Sequence, residues 1–252
     1  MSNVILYSAY LPNLSDETHH NQQVFSQLYT SLNTLYNTGY DGNIFLCYDS
    51  DVDISKFVYK KIYNLSQDFK KLICVNFKYN NFNFDRILCV DNDTFFTKNP
   101  EHLFYDYPDV NKFYGIKYQY DTICEKIGLI DACLNTGQFL VSKKILNTLN
   151  KNFLENLLKE YIDTLIITNK TEPERADHMI WLGEEYAITK ILQNNDVLIE
   201  EFSDDHVKIS TIGNEATLYH YYSSNTKLAV PQDYWSVYTK NASNDASYNF
   251  LS

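Results

Sequence analysis

Phe84-Asp85-Arg86-Ile87-Leu88-Cys89-Val90-Asp91-Asn92-Asp93-Thr94-Phe95-Phe96 sets a short apolar run directly before two carboxylates one residue apart. The run from Ile87 to Val90, with polar residues on both sides, has the length and composition of a strand buried on both faces. In open α/β sheets ligands bind beyond the carboxyl ends of the strands, and Asp91 and Asp93 fall there. Two oxygen-donor side chains so spaced can reach one hard divalent cation and leave coordination positions for water and phosphate oxygens. Taken alone, Asp-x-Asp is equally a strand-end turn whose acids cap backbone amides.

Outward from this stretch, comparable apolar runs occur at residues 4–7, 44–47 and 72–77. Between the first two, Val24, Leu28, Leu32, Leu35 and Tyr36 recur every three or four residues, which predicts a helix over 18–36 that ends near Gly39. Strand, helix, strand in that order predicts a right-handed βαβ unit in a parallel sheet. After the acidic triplet, Thr97-Lys98-Asn99-Pro100 reads as a turn, followed by strands at 113–118 and 139–142 and helices over 144–165 and 176–192. The polar stretch 168–175 is short enough for a surface loop and reads as no domain boundary. Residues 241–252, rich in Asn and Ser, read as a loosely held tail.

A chain of 252 residues can bury one sizeable core, so a single α/β domain over 1–240 is expected. Lysine and arginine total 21 against 32 acidic residues, a formal charge of -11. That balance offers no general attraction to nucleic acid or anionic membrane, so an anionic substrate must be held by local cations or a metal. No apolar run approaches the roughly 18 residues of a membrane span, and the first residues lack a signal-peptide pattern. Cys47, Cys74, Cys89, Cys124 and Cys133 are odd in number, widely spaced and without a C-x-x-C pair, which reads as reduced core thiols and a cytoplasmic protein.

The stretch around the triplet resembles the glycogenin-like glycosyltransferases, glycosyltransferase family 8. There an aromatic residue, a basic residue, an apolar strand, Asp-x-Asp and Thr occur in this order. It also resembles the wider set of GT-A fold enzymes, in which such a triplet chelates manganese or magnesium bound to a nucleoside diphosphate. Cys133-Leu134-Asn135-Thr136-Gly137-Gln138-Phe139-Leu140-Val141 is similar to the family's Cys-Phe-Asn-Ser-Gly segment, whose Asn lies beside the donor sugar. An amide offers a donor and an acceptor to sugar hydroxyls, and the small residue and Gly after it allow close backbone approach. The same three residues also read as an ordinary Asn-Thr-Gly turn opening a strand.

Thr217-Leu218-Tyr219-His220-Tyr221-Tyr222-Ser223-Ser224-Asn225-Thr226-Lys227 looks like the family's C-terminal block, where His completes the metal shell and Lys contacts the diphosphate. It departs from that pattern in having Ser223 in place of Gly and Lys227 one position late. His19, His20, His102, His178 and His206 have no such block around them. Met179-Ile180-Trp181-Leu182-Gly183-Glu184-Glu185-Tyr186 looks like the acidic element of retaining GT-A enzymes, which makes Glu184 and Glu185 candidates for the position near the anomeric carbon, with Asp177 as the alternative. Acids in a first helical turn are equally the ordinary complement of the helix dipole.

What the resemblance implies is a single GT-A type, Rossmann-like domain with a mixed, mainly parallel central sheet flanked by helices. Its activity would be retaining transfer of a sugar from a UDP-sugar to a hydroxyl of a glycan or protein acceptor. Asp91, Asp93 and His220 would hold Mn2+, or Mg2+. Ser8, Ala9 and Tyr10 would hold the uracil and ribose; Arg86, Asp91, Asn92 and Lys227 would meet the ribose and diphosphate; and Asn135, Thr136 and Gly137 would meet the sugar. A catalytically silent nucleotide-sugar or glycan-binding relative is the alternative. A phosphatase of the haloacid dehalogenase type also carries strand and Asp-x-Asp, but it needs Thr or Val where Phe95 stands. A nucleotidyltransferase would carry a Gly-rich basic loop after its first strand, and residues 9–16 have none.

Overall fold

The structure, a computed structural model, describes residues 2–9, 19–48, 62–64, 84–118, 133–149, 183–209 and 215–220, with single helical positions between 156 and 171. In chain order the elements are β1 (Asn3–Ala9), α1 (His19–Asn37), β2 (Asn43–Tyr48), β3 (Ile62–Asn64), β4 (Arg86–Asp91), β5 (Thr94–Phe96), a 3-10 turn (Pro100–His102), α2 (Leu103–Asp106), β6 (Lys112–Tyr118), β7 (Cys133–Ser142), α3 (Lys143–Leu146), α4 (Gly183–Asn194), β8 (Leu198–Glu201), β9 (Val207–Ile209) and β10 (Leu218–His220). They gather into two compact units.

The first unit holds β1, α1, β2, β3, β4 from Leu88 onward, β5, the 3-10 turn, α2, β9 and β10. Its main-sheet strands lie in the order β3-β2-β1-β4. Val4, Ile5, Leu6 and Tyr7 are all fully buried, as a strand covered on both faces requires. β1 and β2 pair in parallel from Val4↔Asn43 to Ala9↔Tyr48, with α1 as the crossover, so the expected βαβ unit is present. On α1 the stripe Leu28, Leu32 and Leu35 is fully buried, each burial worth about 1.5–3 kcal/mol. Tyr36, expected on the same face, is 64% exposed, because it lies about 100° around the helix from Leu35. The helix ends in a left-handed residue, Gly39 at φ 77, where glycine carries no steric penalty. A second, small sheet has the order β5-β10-β9, with β10 antiparallel to β5 and parallel to β9.

The second unit holds the start of β4, then β6, β7, α3, α4 and β8, with main-sheet order β7-β6-β8. β6 runs antiparallel to β7 and parallel to β8, and the β6–β7 register shifts between Gly115 and Ile116. α4 packs Ala187, Ile188, Ile191 and Leu192 inward, and its buried Thr189 Oγ1 accepts the Leu134 N–H of β7 at 3.2 Å. The helix expected over 144–165 is interrupted. α3 closes at Leu146, where Thr148 and Leu149 donate back three residues and the Thr148 hydroxyl bonds the Ile145 carbonyl. The strand expected at 72–77, the first part of the helix expected over 176–192 and the tail at 241–252 lie outside the described residues.

Candidate functional site

β4 delivers Asp91 at its carboxyl end, and a two-residue turn of Asn92 and Asp93 leads straight into β5. That turn is pinned by the polar side of α1. Asn92 Nδ2 donates to Gln27 Oε1 at 3.3 Å, and the Phe96 N–H donates to Thr34 Oγ1 at 3.1 Å. The Thr34 hydroxyl in turn donates to the Ser31 carbonyl, while Ser31 Oγ is hydrogen-bonded to the Tyr7 hydroxyl at 3.0 Å. Gln27, Ser31 and Thr34 are all buried. They follow the i, i+4, i+7 spacing, and this polar stripe reads in the sequence as a solvated face; only the burial reveals it as a second packing face.

The antiparallel register of β5 and β10 sets His220 opposite Thr94, beside Asp93. His220 Nε2 lies 3.2 Å from Asp93 Oδ1 and 3.5 Å from Asp91 Oδ2. Each of the three side chains offers a ligand atom, and these atoms lie within 4.8 Å of one another. Asp93 and His220 are buried and Asp91 is 17% exposed, so the group opens at its Asp91 side. Burial disfavours the charged imidazolium, but the charges of Asp93 and Asp91 and the contacts with them outweigh it and push the His220 pKa up to about 9. Two carboxylates and an imidazole are a donor set for a divalent cation, and the nitrogen tilts the preference from Mg2+ toward Mn2+.

Among the other expected residues, Ser8 and Ala9 close β1 opposite Cys47 and Tyr48. Asn135, Thr136 and Gly137 lie within β7, which begins at Cys133, so this block is strand and not a turn ahead of one. Asn135 is buried, and its Oδ1 accepts the Gly137 N–H at 2.9 Å, a local turn-like bond inside the strand at the point where the β6 register shifts. Glu184 and Glu185 open α4, and Glu185 is half-buried. Arg86, at the start of β4, is 2% exposed; burial lowers its pKa, while Tyr114 and Asp109 act in the opposite direction. Tyr10, Asp177, Lys227 and the side chain of Glu184 lie outside the described residues.

No family model and no curated protein matches this chain by sequence. Solved structures do match by fold. A galactosyltransferase, LgtC, in complex with donor and acceptor sugar analogs, superposes with a TM-score of 0.58 at 9% identity over 94% of this chain and 95% of that one. An active-site mutant of LgtC gives a TM-score of 0.59 at 10% identity over the same shares. The glycosyltransferase GlyE of Streptococcus pneumoniae TIGR4 gives 0.53 at 14% identity, covering 100% of this chain and 66% of that one. The chain therefore has the fold of these enzymes, the mixed α/β GT-A architecture with a central sheet flanked by helices.

Proposed function

We propose that this chain is a metal-dependent, retaining glycosyltransferase that moves a sugar from a nucleotide-sugar, most simply a UDP-sugar, to a hydroxyl of a glycan or protein acceptor. The convergence of Asp91, Asp93 and His220 on one point is the observation that carries the reading. These residues would hold Mn2+, which when bound supplies Lewis acidity toward the departing diphosphate. The fold supports the same class, since the solved structures that share it are glycosyltransferases. With a formal charge of -11 the protein offers no general attraction to a nucleoside diphosphate, and such a cation would supply it locally.

The remaining roles are those that the family resemblance implies. Ser8, Ala9 and Tyr10, at and just beyond the end of β1, receive the base and ribose. Asn92 with Lys227 serves the ribose and phosphates, and Asn135, Thr136 and Gly137 shape the sugar subsite; Arg86, expected to meet the diphosphate, starts β4 about 16 Å of strand away from Asp91 and is buried there, so it takes no part. Asn135 Oδ1 is held by the Gly137 N–H, which fixes the orientation of the amide and leaves its NH2 group as the donor for a sugar hydroxyl. Glu184 or Glu185 stabilises positive charge at the anomeric carbon. Residues 1–240 act as one catalytic domain. Among the described residues no helix is long and apolar enough to cross a membrane. The odd number and wide spacing of the cysteines are in keeping with a reducing, cytoplasmic setting.

A panel of UDP- and GDP-sugars, each with Mn2+ or with EDTA, tests this by nucleotide release. Metal-dependent release from at least one UDP-sugar is expected, and Asp93→Asn should lower it by on the order of a hundredfold. UDP binding without release from any donor would instead mark a silent relative, and EDTA-insensitive release would remove the metal from the reading.

A further inference from the structure

A second group of side chains in the same unit has the make-up of a metal centre. His102 and Asp106 sit one helical turn apart, on the 3-10 turn and α2, and so share a face. His206 reaches them from the turn that leads into β9, which is closed by the His206 N–H and Val207 N–H on the Ser203 carbonyl. Asp106 Oδ2 lies 2.7 Å from His102 Nδ1 and 3.5 Å from His206 Nε2. The His102 and His206 rings are 5.1 Å apart, tilted by 60°. One ligand atom from each of the three residues falls within 4.8 Å of the others.

The far ring nitrogens carry an independent signature. Histidines that bind metal hand their other ring nitrogen to a hydrogen-bond partner that fixes tautomer and orientation. Here His102 Nε2 lies 2.8 Å from Thr217 Oγ1, and His206 Nδ1 lies 2.7 Å from the Tyr107 hydroxyl. The Tyr107 oxygen also accepts the Ser203 N–H at 2.8 Å, which anchors it in place. Both imidazoles are thus braced from behind, with Nδ1 of one and Nε2 of the other turned toward Asp106.

We propose that His102, Asp106 and His206 form a second metal site, separate from Asp91, Asp93 and His220, that takes Zn2+ with water in the remaining position. Two imidazoles and one carboxylate are a zinc donor set. Tetrahedral ligands about 2.1 Å from zinc stand about 3.4 Å from each other. The His206–Asp106 pair, at 3.5 Å, already has that spacing, and the His102–Asp106 pair, at 2.7 Å, opens by under an ångström. In the bound form the outer nitrogens keep their protons, donated to Thr217 and Tyr107, and the inner lone pairs face the ion. Asp106 is 44% exposed, so the ion enters directly from solvent. Once bound, it clasps α2 to the start of β9 and, through Thr217, to the strand that carries His220.

Equilibrium dialysis of the full chain against Zn2+ tests the site. The Asp91→Asn/Asp93→Asn chain, with the first group disabled, should keep one equivalent of zinc. Adding His206→Asn or His102→Asn should remove that equivalent with an unchanged far-UV circular dichroism spectrum. If either histidine variant fails to fold, Asp106→Asn replaces it in the same measurement, and the Co2+-loaded Asp91→Asn/Asp93→Asn chain should show the intense visible bands of a four-coordinate ion. A chain with Asp91 and Asp93 replaced that binds no zinc, or zinc that persists after replacement of His102, Asp106 or His206, overturns the proposal.

Discussion

Manganese binding at Asp91, Asp93 and His220 should be an exchange of metal for a proton on His220. The ring is 2% exposed, yet Asp93 at 3.2 Å and Asp91 at 3.5 Å carry its pKa from 6.5 to about 9. A metal requires the imidazole lone pair, so near neutral pH it must displace a proton held about two pKa units above the solution. That costs about 3 kcal/mol, or roughly a hundredfold in affinity. Apparent Mn2+ association should therefore climb about tenfold per pH unit from about pH 6 to about pH 8 and level off once the ring is neutral. Isothermal titration in buffers of differing ionisation enthalpy reads both the affinity and the proton released, close to one per metal. His220→Asn should flatten the pH dependence. A wild-type affinity independent of pH, or a slope that survives His220→Asn, refutes the reasoning. The same shift stabilises the metal-free fold. Because the folded-state pKa lies above the unfolded value of 6.5, the contribution is fully present below pH 6.5 and is lost as pH rises through about 9. Two and a half units correspond to about 3 kcal/mol, so metal-free Tm should fall across that window and saturating Mn2+ should support it at the alkaline end.

Thr34→Val removes the acceptor of the buried Phe96 N–H and should cost about 1–3 kcal/mol in urea unfolding, with weaker Mn2+ binding, because β5 sets the position of β10. Wild-type Mn2+ affinity in Thr34→Val would mean that the turn holds its shape without α1. Leu32→Ala empties a fully buried position on α1 and should lower stability by about 2–5 kcal/mol, read by denaturant melts. Gly39→Ala should cost about 1–2 kcal/mol from backbone conformation alone, since a Cβ there meets nothing within 4 Å. Gly39→Asn should recover part of that loss in the same melts.

The sequence carried the main strands of the fold because β1, β2 and β4 are buried on both faces and so read as unbroken apolar runs. The small sheet was not legible. β5, β9 and β10 are three residues each, too short for alternation to show, and Val207-Lys208-Ile209 and Leu218-Tyr219-His220 resemble any loop. Of the candidate metal group, the two aspartates are visible as a strand-end pair, whereas His220, 220 - 93 = 127 positions beyond Asp93, required the resemblance. The pinning residues Gln27, Ser31 and Thr34 give no sequence signal, because a polar stripe on a helix normally faces water. His102 and His206 carry no signal in the sequence because they lie 104 positions apart, and only the fold brings them to one carboxylate.

The geometry of the Asp91, Asp93 and His220 group depends on residues outside it. A slip of one residue between β5 and β10 would turn His220 to the opposite face of the small sheet, away from Asp93. Hydrophobic alternation cannot prevent this, because Leu218, Tyr219 and His220 are all buried and neither face of the strand is reserved for water. Polar clamps at the start of the strand do so instead. The Thr97 N–H donates to the Thr217 carbonyl at 2.9 Å, and the Thr97 hydroxyl bonds the Ala216 carbonyl. The His206 carbonyl accepts both the Thr217 and Leu218 N–H groups at 3.0 Å. The Tyr219 hydroxyl accepts the N–H groups of Glu215 and Ala216 at 3.1 and 3.0 Å, folding the side chain back over the segment that leads into its own strand. Each clamp reads backbone position and not side-chain character, so together they fix register where three residues of pairing could not. His102, bonded to the Thr217 hydroxyl, ties the proposed zinc group to this clamp, three residues ahead of His220.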